Sequence, residues 1–462
     1  GAAPGGDGSA GRPFAQLASA EAASAAGDRI YVSAKSSWDV LTGPITLKPN
    51  QKLLGVSPTG QAPRYEAEQP QITSSVVGDS IYDTPYNNGR YRPTTGIVML
   101  ARGVEVSGIH FVDMKGPALL AGDQDITGTR IHGNTFSGVM PKSKSLIYSI
   151  VLGGAVNVSD VQVTDNSFRD GATLGGITVQ QKGQSVAEYY FQRNEFRDLG
   201  GRAYFIHSDD ASRVTTTILD SNVNNIGVPA EQPVPGSGND DSIIPYLTGS
   251  SQQRMLVKNF HFKNDKRVGG PSNTAMEIFI YGRRAEEDRN NWCRNCRADI
   301  EVQDSVFEHP ATDGIQIANS GDGTVVNLAI RRTRIIGAAP RQTGGAVSIM
   351  AQGQGSKGGK LTLLIEESEI IGSKAFAVAV ANESTESVAV IDLGGGALGS
   401  KGHNVITGNV QGTFKLQVEK VTARNNWWGG AAPTVTLNGE GGAADVSSPL
   451  PVPPKAAPPP TK

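Results

Sequence analysis

The chain is poor in cysteine, aromatic residues and charge, and has no long apolar run. Two Cys in 462 residues, Cys293 and Cys296 in WCRNC, have neither further Cys nor an adjacent His, so a structural zinc site lacks ligands. A redox CxxC opens a helix in a βαβ context, which is absent here. A small disulfide pinning the local loop, as in an exported protein, is the better expectation. No stretch of about 18 apolar residues occurs, which excludes a membrane-spanning helix. A net charge of −2 without a basic block argues against nucleic acid and anionic membrane surfaces as partners. Aromatics at 6% and charged residues at 19%, set against 57 Gly, argue against a helical protein and for short strands joined by tight turns.

What is present in quantity is repetition. Val163, Asn166 and Phe168 of VTDNSFRD recur as Ile131/Asn134/Phe136, Phe191/Asn194/Phe196, Ile218/Ser221/Val223, Val257/Phe260/Phe262, Val302/Ser305/Phe307, Ile330/Thr333/Ile335 and Ile365/Ser368/Ile370. A looser first copy is Val106/Ile109/Phe111. Successive copies lie 25 to 45 residues apart. A period of that size marks a solenoid with insertions in particular turns, in which each coil buries its core only against its neighbours. Before each copy stands an apolar strand, such as GGITVQQ, RAYFIHS, SIIPYLT, AMEIFIYG and GIQIANS. Alternation points Ile177 and Val179 inward and Thr178 and Gln180 outward, and likewise separates Ile315 and Ile317 from Gln316. The Asn134/Asn166/Asn194 column reads as a turn ladder of side-chain amides, without chemistry of its own.

Residues 1–11 form a flexible leader, and 12–95 form an N-terminal cap with the first coils. The cap opens on an Ala-rich helix of about three turns ending at Gly27, and a long surface excursion follows over Ser57 to Thr95. The solenoid proper spans 96–430, and 431–462 is a Pro-rich disordered tail. The chain begins at Gly1 rather than Met, compatible with an export signal already removed, and an extracellular, cell-surface or periplasmic location is expected.

PFAQLASAEAASAAGDRIYV, the repeated VxxNxF and the closing IDLGGGALGSKGHNVITGN with ARNNWWG resemble the pectin-lyase-like right-handed parallel β-helix family, over roughly Arg12 to Gly430. The resemblance implies an all-β, single-stranded right-handed parallel β-helix of about ten coils with an N-terminal helical cap. It does not imply one activity, because that family holds polysaccharide lyases, glycoside hydrolases, epimerases, phage tailspikes and non-catalytic surface proteins. The compact catalytic signatures of pectate lyases, polygalacturonases and alginate lyases are not found, so no catalytic set carries over.

Chemistry is therefore sought on the outward row of coils four to eight: Thr178, Gln180, Tyr204, Tyr246, Glu277, Phe279, Tyr281 and Gln316. Outward aromatics suit sugar stacking, and a loop lying over them is the plainer alternative. Asp209, Asp210, Asp240, Asp241 and Glu277 gather near this face. Glycoside hydrolysis needs two carboxyl groups about 5 to 9.5 Å apart, and coils about 4.8 Å apart can supply them. Asp241 with Glu277 is the first pair, Glu277 serving as the acid because apolar neighbours desolvate it. Capping of turns by the SDD and NDD aspartates is the competing explanation. For a lyase, Tyr281 with Arg283 and Arg284 would supply base and anion clamp. His207, alternating with Phe205, is read as an inward core histidine. No cofactor is required. Asp209, Asp210, Asp240 and Asp241 have the chemistry for a Ca²⁺ site, but no spacing motif demands one. The reading is a secreted or surface protein that cleaves or modifies an extended polysaccharide, as hydrolase or lyase, in a groove over coils four to eight. The alternative is a non-catalytic rod binding glycans or protein partners. Either would be a monomer or a homotrimer.

Overall fold

The computed structural model describes residues 5–33, 40–74, 95–138, 147–171, 174–227, 241–265, 273–282, 292–340, 344–352, 357–382, 384, 386–417, 420–437 and 442–455. Successive coils contribute strands to three parallel sheets, which among the described residues hold 14, 12 and 13 strands. In the coil of VTDNSFRD these strands are Val158–Thr164, Ser167–Gly171 and Leu174–Gln181. Val163 pairs with Phe191, Phe168 with Phe196 and Ile177 with Tyr204 of the next coil. This is the parallel β-helix expected from the repeat.

The side-chain period makes the register. Val163, Phe168, Ile177 and their equivalents are fully buried in one continuous core. Phe111, Phe136, Phe168 and Phe196 stack along the axis at 5.2, 4.7 and 4.7 Å. At the bend, Asn166 Oδ1 accepts from the Asn134 backbone N–H at 3.0 Å, while its Nδ2 donates to the Ile131 carbonyl at 3.1 Å and to Asn194 Oδ1 at 3.1 Å. Ser221, Ser305, Thr333 and Ser368 continue the ladder with hydroxyls. The residue before each ladder position is left-handed: Asp165 at φ 59°, Arg193 at 50° and Asp304 at 50°. Gly108 and Gly133 occupy that position in the two earliest copies, where the conformation costs glycine least.

The sheets count more coils than the ten expected. The additional rungs carry no VxxNxF signature: Arg29–Ser33, Val40–Gly43 and Ile45–Thr46 at one end, Val435–Leu437 and Ala443–Asp445 at the other. The last two lie within the segment read as a disordered tail, so strand pairing continues past Gly430. The cap helix is Leu17–Ala23, shorter than three turns, and Leu17 is its one buried residue. Residues 75–94 of the surface excursion and 456–462 of the tail lie outside the described residues. Among the described residues no helix is long and apolar enough to cross a membrane.

Candidate functional site

Register in the 13-stranded sheet decides which predicted residues meet. Tyr204, Ile243, Met276, Ile315 and Val347 pair in succession and point into the core. Two residues before each of them, at the entry to the strand, stand Arg202, Asp241, Thr274, Asp313 and Gly345. One residue after them, facing outward, come Phe205, Ile244, Glu277, Gln316 and Ser348. Two adjacent columns thus bring Asp241, Glu277 and Asp313 together from three consecutive coils.

Asp241 is buried, and Thr274 N–H donates to its Oδ1 at 2.6 Å. Burial raises its pKa well above the ordinary aspartate value, and the charge of Glu277 and a hydrogen bond with it raise it further. Thr274 N–H and the Arg202 guanidinium oppose that rise without cancelling it. Burial also lifts Asp313, to about 6, against a lowering hydrogen bond from Ser348 and with help from the charge of Asp241. Ser348 Oγ donates to Asp313 Oδ1. Thr274 Oγ1 lies 3.0 Å from Thr312 Oγ1 and donates to Gln316 Oε1 at 3.4 Å, tying the two coils together behind the acids. Arg202 is held over the Phe205 ring at 4.7 Å, with Nη1 donating to Tyr148 Oη at 3.3 Å.

The expected first pair, Asp241 and Glu277, therefore meets through a hydrogen bond. Glu277 lies half-buried on an outward strand position, whereas Asp241 is sealed. Asp313, Arg202 and Ser348 were missed by sequence reasoning. A signal for Asp313 was available, since it precedes Ile315 by the same two residues that separate Asp241 from Ile243.

Tyr204 is a correction. It pairs with Ile177, is fully buried, and its hydroxyl donates to Ser221 Oγ at 3.1 Å, so it faces the core. His207 is the converse case: it pairs with Gln180 and Tyr246 in the outward column. Its Nε2 lies 3.1 Å from Thr248 Oγ1, and its ring meets Tyr246 edge-on at 4.9 Å. The two assignments fail together, because Phe205 and His207 share a parity whose direction Ile177 fixes as outward.

Tyr246 and Phe279 stack at 5.0 Å, with Tyr281 beside them at 6.3 and 6.4 Å. Only Phe279 of the three is partly exposed. Tyr246 and Tyr281 pack with Phe205, Ile244, Tyr148 and Trp292 in an apolar cluster outside the main core. The covered reading holds for these two rings.

Asp209 and Asp210 do not join the acids. They follow the strand Tyr204–Ser208, whereas Asp241 precedes its neighbour Ile243–Leu247, which puts them at opposite edges of the sheet, about 16 Å apart along a five-residue strand. Asp209 Oδ1 accepts from Asp210 N–H at 2.8 Å and Thr248 Oγ1 at 2.7 Å, and Asp210 Oδ2 from Gly183 N–H at 2.9 Å, as turn-capping predicts. Asp210 instead borders a cleft of about 530 Å³ with Ser250, Trp292 and Arg294. Among the described residues no three His, Cys, Asp or Glu side chains form a metal-binding group. Asp240, Arg283 and Arg284 lie outside the described residues. Cys293 and Cys296 are disulfide-bonded, with Cα atoms 5.6 Å apart, and both are buried.

No protein-family model matches the chain. No curated protein matches it either. Among solved structures it is similar to the A-module of the Azotobacter vinelandii mannuronan C-5 epimerase AlgE6, at 10% identity over 94% of this chain and 93% of that one, with a TM-score of 0.27. A likeness that slight leaves the fold to rest on the strand pairing itself and says nothing of activity.

Proposed function

We propose that this protein is a secreted or surface-exposed glycoside hydrolase of the pectin-lyase-like kind that cleaves a polysaccharide bound across the outer face of the 13-stranded sheet. The observation that carries this reading is the convergence of Asp241, Glu277 and Asp313 from three successive coils, where burial raises Asp241 well above the ordinary aspartate value and lifts Asp313 to about 6. Two carboxyl groups with different proton affinities on one surface are what acid and base catalysis of glycoside cleavage requires.

Asp241 and Glu277 are hydrogen-bonded to each other and so lie too close to act on opposite sides of a glycosidic bond, which takes about 5 Å or more. They work as one proton-sharing unit. Asp313 holds the same strand-entry position two coils on from Asp241, a backbone offset of about 9.6 Å, near the upper end of the range that leaves room for a water molecule. The pair then protonates the leaving oxygen through Glu277, the partner that reaches the surface, with the sealed Asp241 sharing the proton by their hydrogen bond, and Asp313, ionised above about pH 6, activates water. The charge of Glu277 raises the proton affinity of Asp241, and Arg202 limits how far it rises. Gln316 and Phe279 flank the acids as sugar contacts. A lyase is less well supported, because its best candidate base, Tyr281, is sealed in the aromatic cluster.

The test is to incubate the purified protein with β-glucan, mannan, xylan, polygalacturonate and alginate, measuring both reducing ends and the ultraviolet absorbance of unsaturated ends. New reducing ends without unsaturation support hydrolysis. Unsaturated ends would replace it with a lyase mechanism, and binding without either product would leave a non-catalytic glycan-binding rod.

A further inference from the structure

The outer face of the 13-stranded sheet is not uniform along the axis. Before the acids, its outward side chains become sealed: Gln180 is still partly exposed, but Thr178, Phe205, His207, Ile244 and Tyr246 are each no more than 4% exposed. After them it opens, with Glu277 and Phe279, then Gln316, then Ser348 and Met350 all partly exposed. Outward positions on a bare solenoid face stay in contact with solvent, as Glu188, Thr215 and Arg254 do on the 14-stranded sheet. Sealing of both outward residues on two successive coils, Phe205 with His207 and Ile244 with Tyr246, therefore marks a covered face.

The change comes at the coil of Glu277. Ile244 and Tyr246, one coil or about 4.8 Å before it, belong to the apolar cluster that Tyr281 and Trp292 complete. That cluster is held in place: the Cys293 N–H donates to the Tyr281 carbonyl at 2.9 Å, and the disulfide fixes the turn that begins at Trp292. On its inner edge, the guanidinium of Arg202 lies on Phe205. Toward the C-terminus the floor instead consists of small or flexible side chains, Ala318, Met350 and Ala381 in one column and Gln316, Ser348 and Ala379 in the other. From Glu277 to the strand Gly345–Gln352 this partly exposed floor runs two coils, roughly 10 Å.

We propose that the groove is blind on the side of Tyr246 and Trp292 and open toward Ser348, so that the enzyme acts on a chain end instead of cutting within the polymer. The inference rests on the hydrolase reading and adds to it where the chain must enter and stop. A polysaccharide laid across several coils would have to pass through the sealed cluster; one that enters from the open side ends against it, its terminal linkage beside the acids. Trp292 and Tyr281 are then specificity-determining residues that set how many sugars are released.

Each polymer that the panel shows to be cut is followed by size-exclusion chromatography with light scattering alongside its reducing ends, for the native protein and for Trp292→Ala. The expected result is one short product from the first minutes while the residual polymer keeps its molar mass. In Trp292→Ala, longer products should appear. Early collapse of polymer mass by the native protein overturns the blind groove and leaves hydrolysis standing. Cleavage of no polymer overturns the hydrolase reading and this inference with it. A Trp292→Ala protein with native circular dichroism and an unchanged product pattern overturns the assignment of the wall. If that variant does not fold, Tyr281→Phe and Tyr281→Leu serve for the same comparison.

Discussion

Replacing Asp313 by Asn should flatten the pH dependence of stability in a defined window. An aspartate ordinarily titrates near 3.8, and burial lifts Asp313 to about 6 in the folded chain. Between those values the native protein holds a proton that the unfolded chain has released, so its stability is greatest below about 3.8 and falls as pH rises through about 6. At about 1.4 kcal/mol per pH unit the full shift corresponds to roughly 3 kcal/mol, and the part of Asp313 that solvent reaches reduces that to about 2. Asp241, raised in the same sense, extends the decline to higher pH. The ion-paired carboxylates act oppositely and lower down. Asp445, held at about 2 by Arg424, and Asp165, held down by Arg193, gain stability as pH rises toward the ordinary aspartate value and nothing beyond it. The measurement is the urea midpoint of native and Asp313→Asn protein from about pH 4 to about pH 7, where the two curves should lie together near pH 4 and separate as pH rises, the native protein falling below the variant. Asn keeps an oxygen to accept from Ser348, so the variant changes charge more than packing. Parallel curves would refute the burial argument for Asp313, and with it the role of general base.

Glu277→Gln should abolish turnover while leaving thermal unfolding nearly unchanged, since it removes the carboxyl that delivers the proton but not the side-chain volume; undiminished turnover would remove the pair from the mechanism. Phe168→Ala should cost about 3 to 5 kcal/mol in denaturant unfolding, because its ring is stacked on both faces within the core. Asn166→Ala strands the Asn134 N–H and the Ile131 carbonyl inside the protein, with an expected loss of about 2 to 4 kcal/mol. A loss below about 1 kcal/mol in either would show that neighbouring coils relax around the gap.

The difference between what was legible in the chain and what was not follows from what each kind of position answers to. Val163, Asn166 and Phe168 repeat because every coil poses the same packing problem at the same place, and a recurring solution is visible without knowing the fold. The chain ends pose a different problem, so Arg29–Ser33 and Ala443–Asp445 carry no signature, although they pair as regularly as any rung. The site lies between these cases. Alternation within RAYFIHS correctly grouped Phe205 with His207, but parity has two possible directions, and only the register from Ile177 chooses between them. That choice turned Tyr204 into a core residue and His207 into a neighbour of Tyr246. Glu277 could be singled out as a carboxylate on a strand with no turn to cap. Asp313 could be found only by comparing coils, because an Asp before Gly at a strand entry is an ordinary turn residue until Asp241 is seen in the same column two coils earlier. The division of burial within the pair was furthest from the sequence, since it depends on which carboxylate the neighbouring coils seal: Asp241 at the strand entry is enclosed, while Glu277, among apolar neighbours in the chain, still reaches solvent. A column of unlike residues, Arg202, Asp241, Thr274, Asp313 and Gly345, is what a repeat protein looks like where its period has been used to assemble chemistry instead of to fill a core.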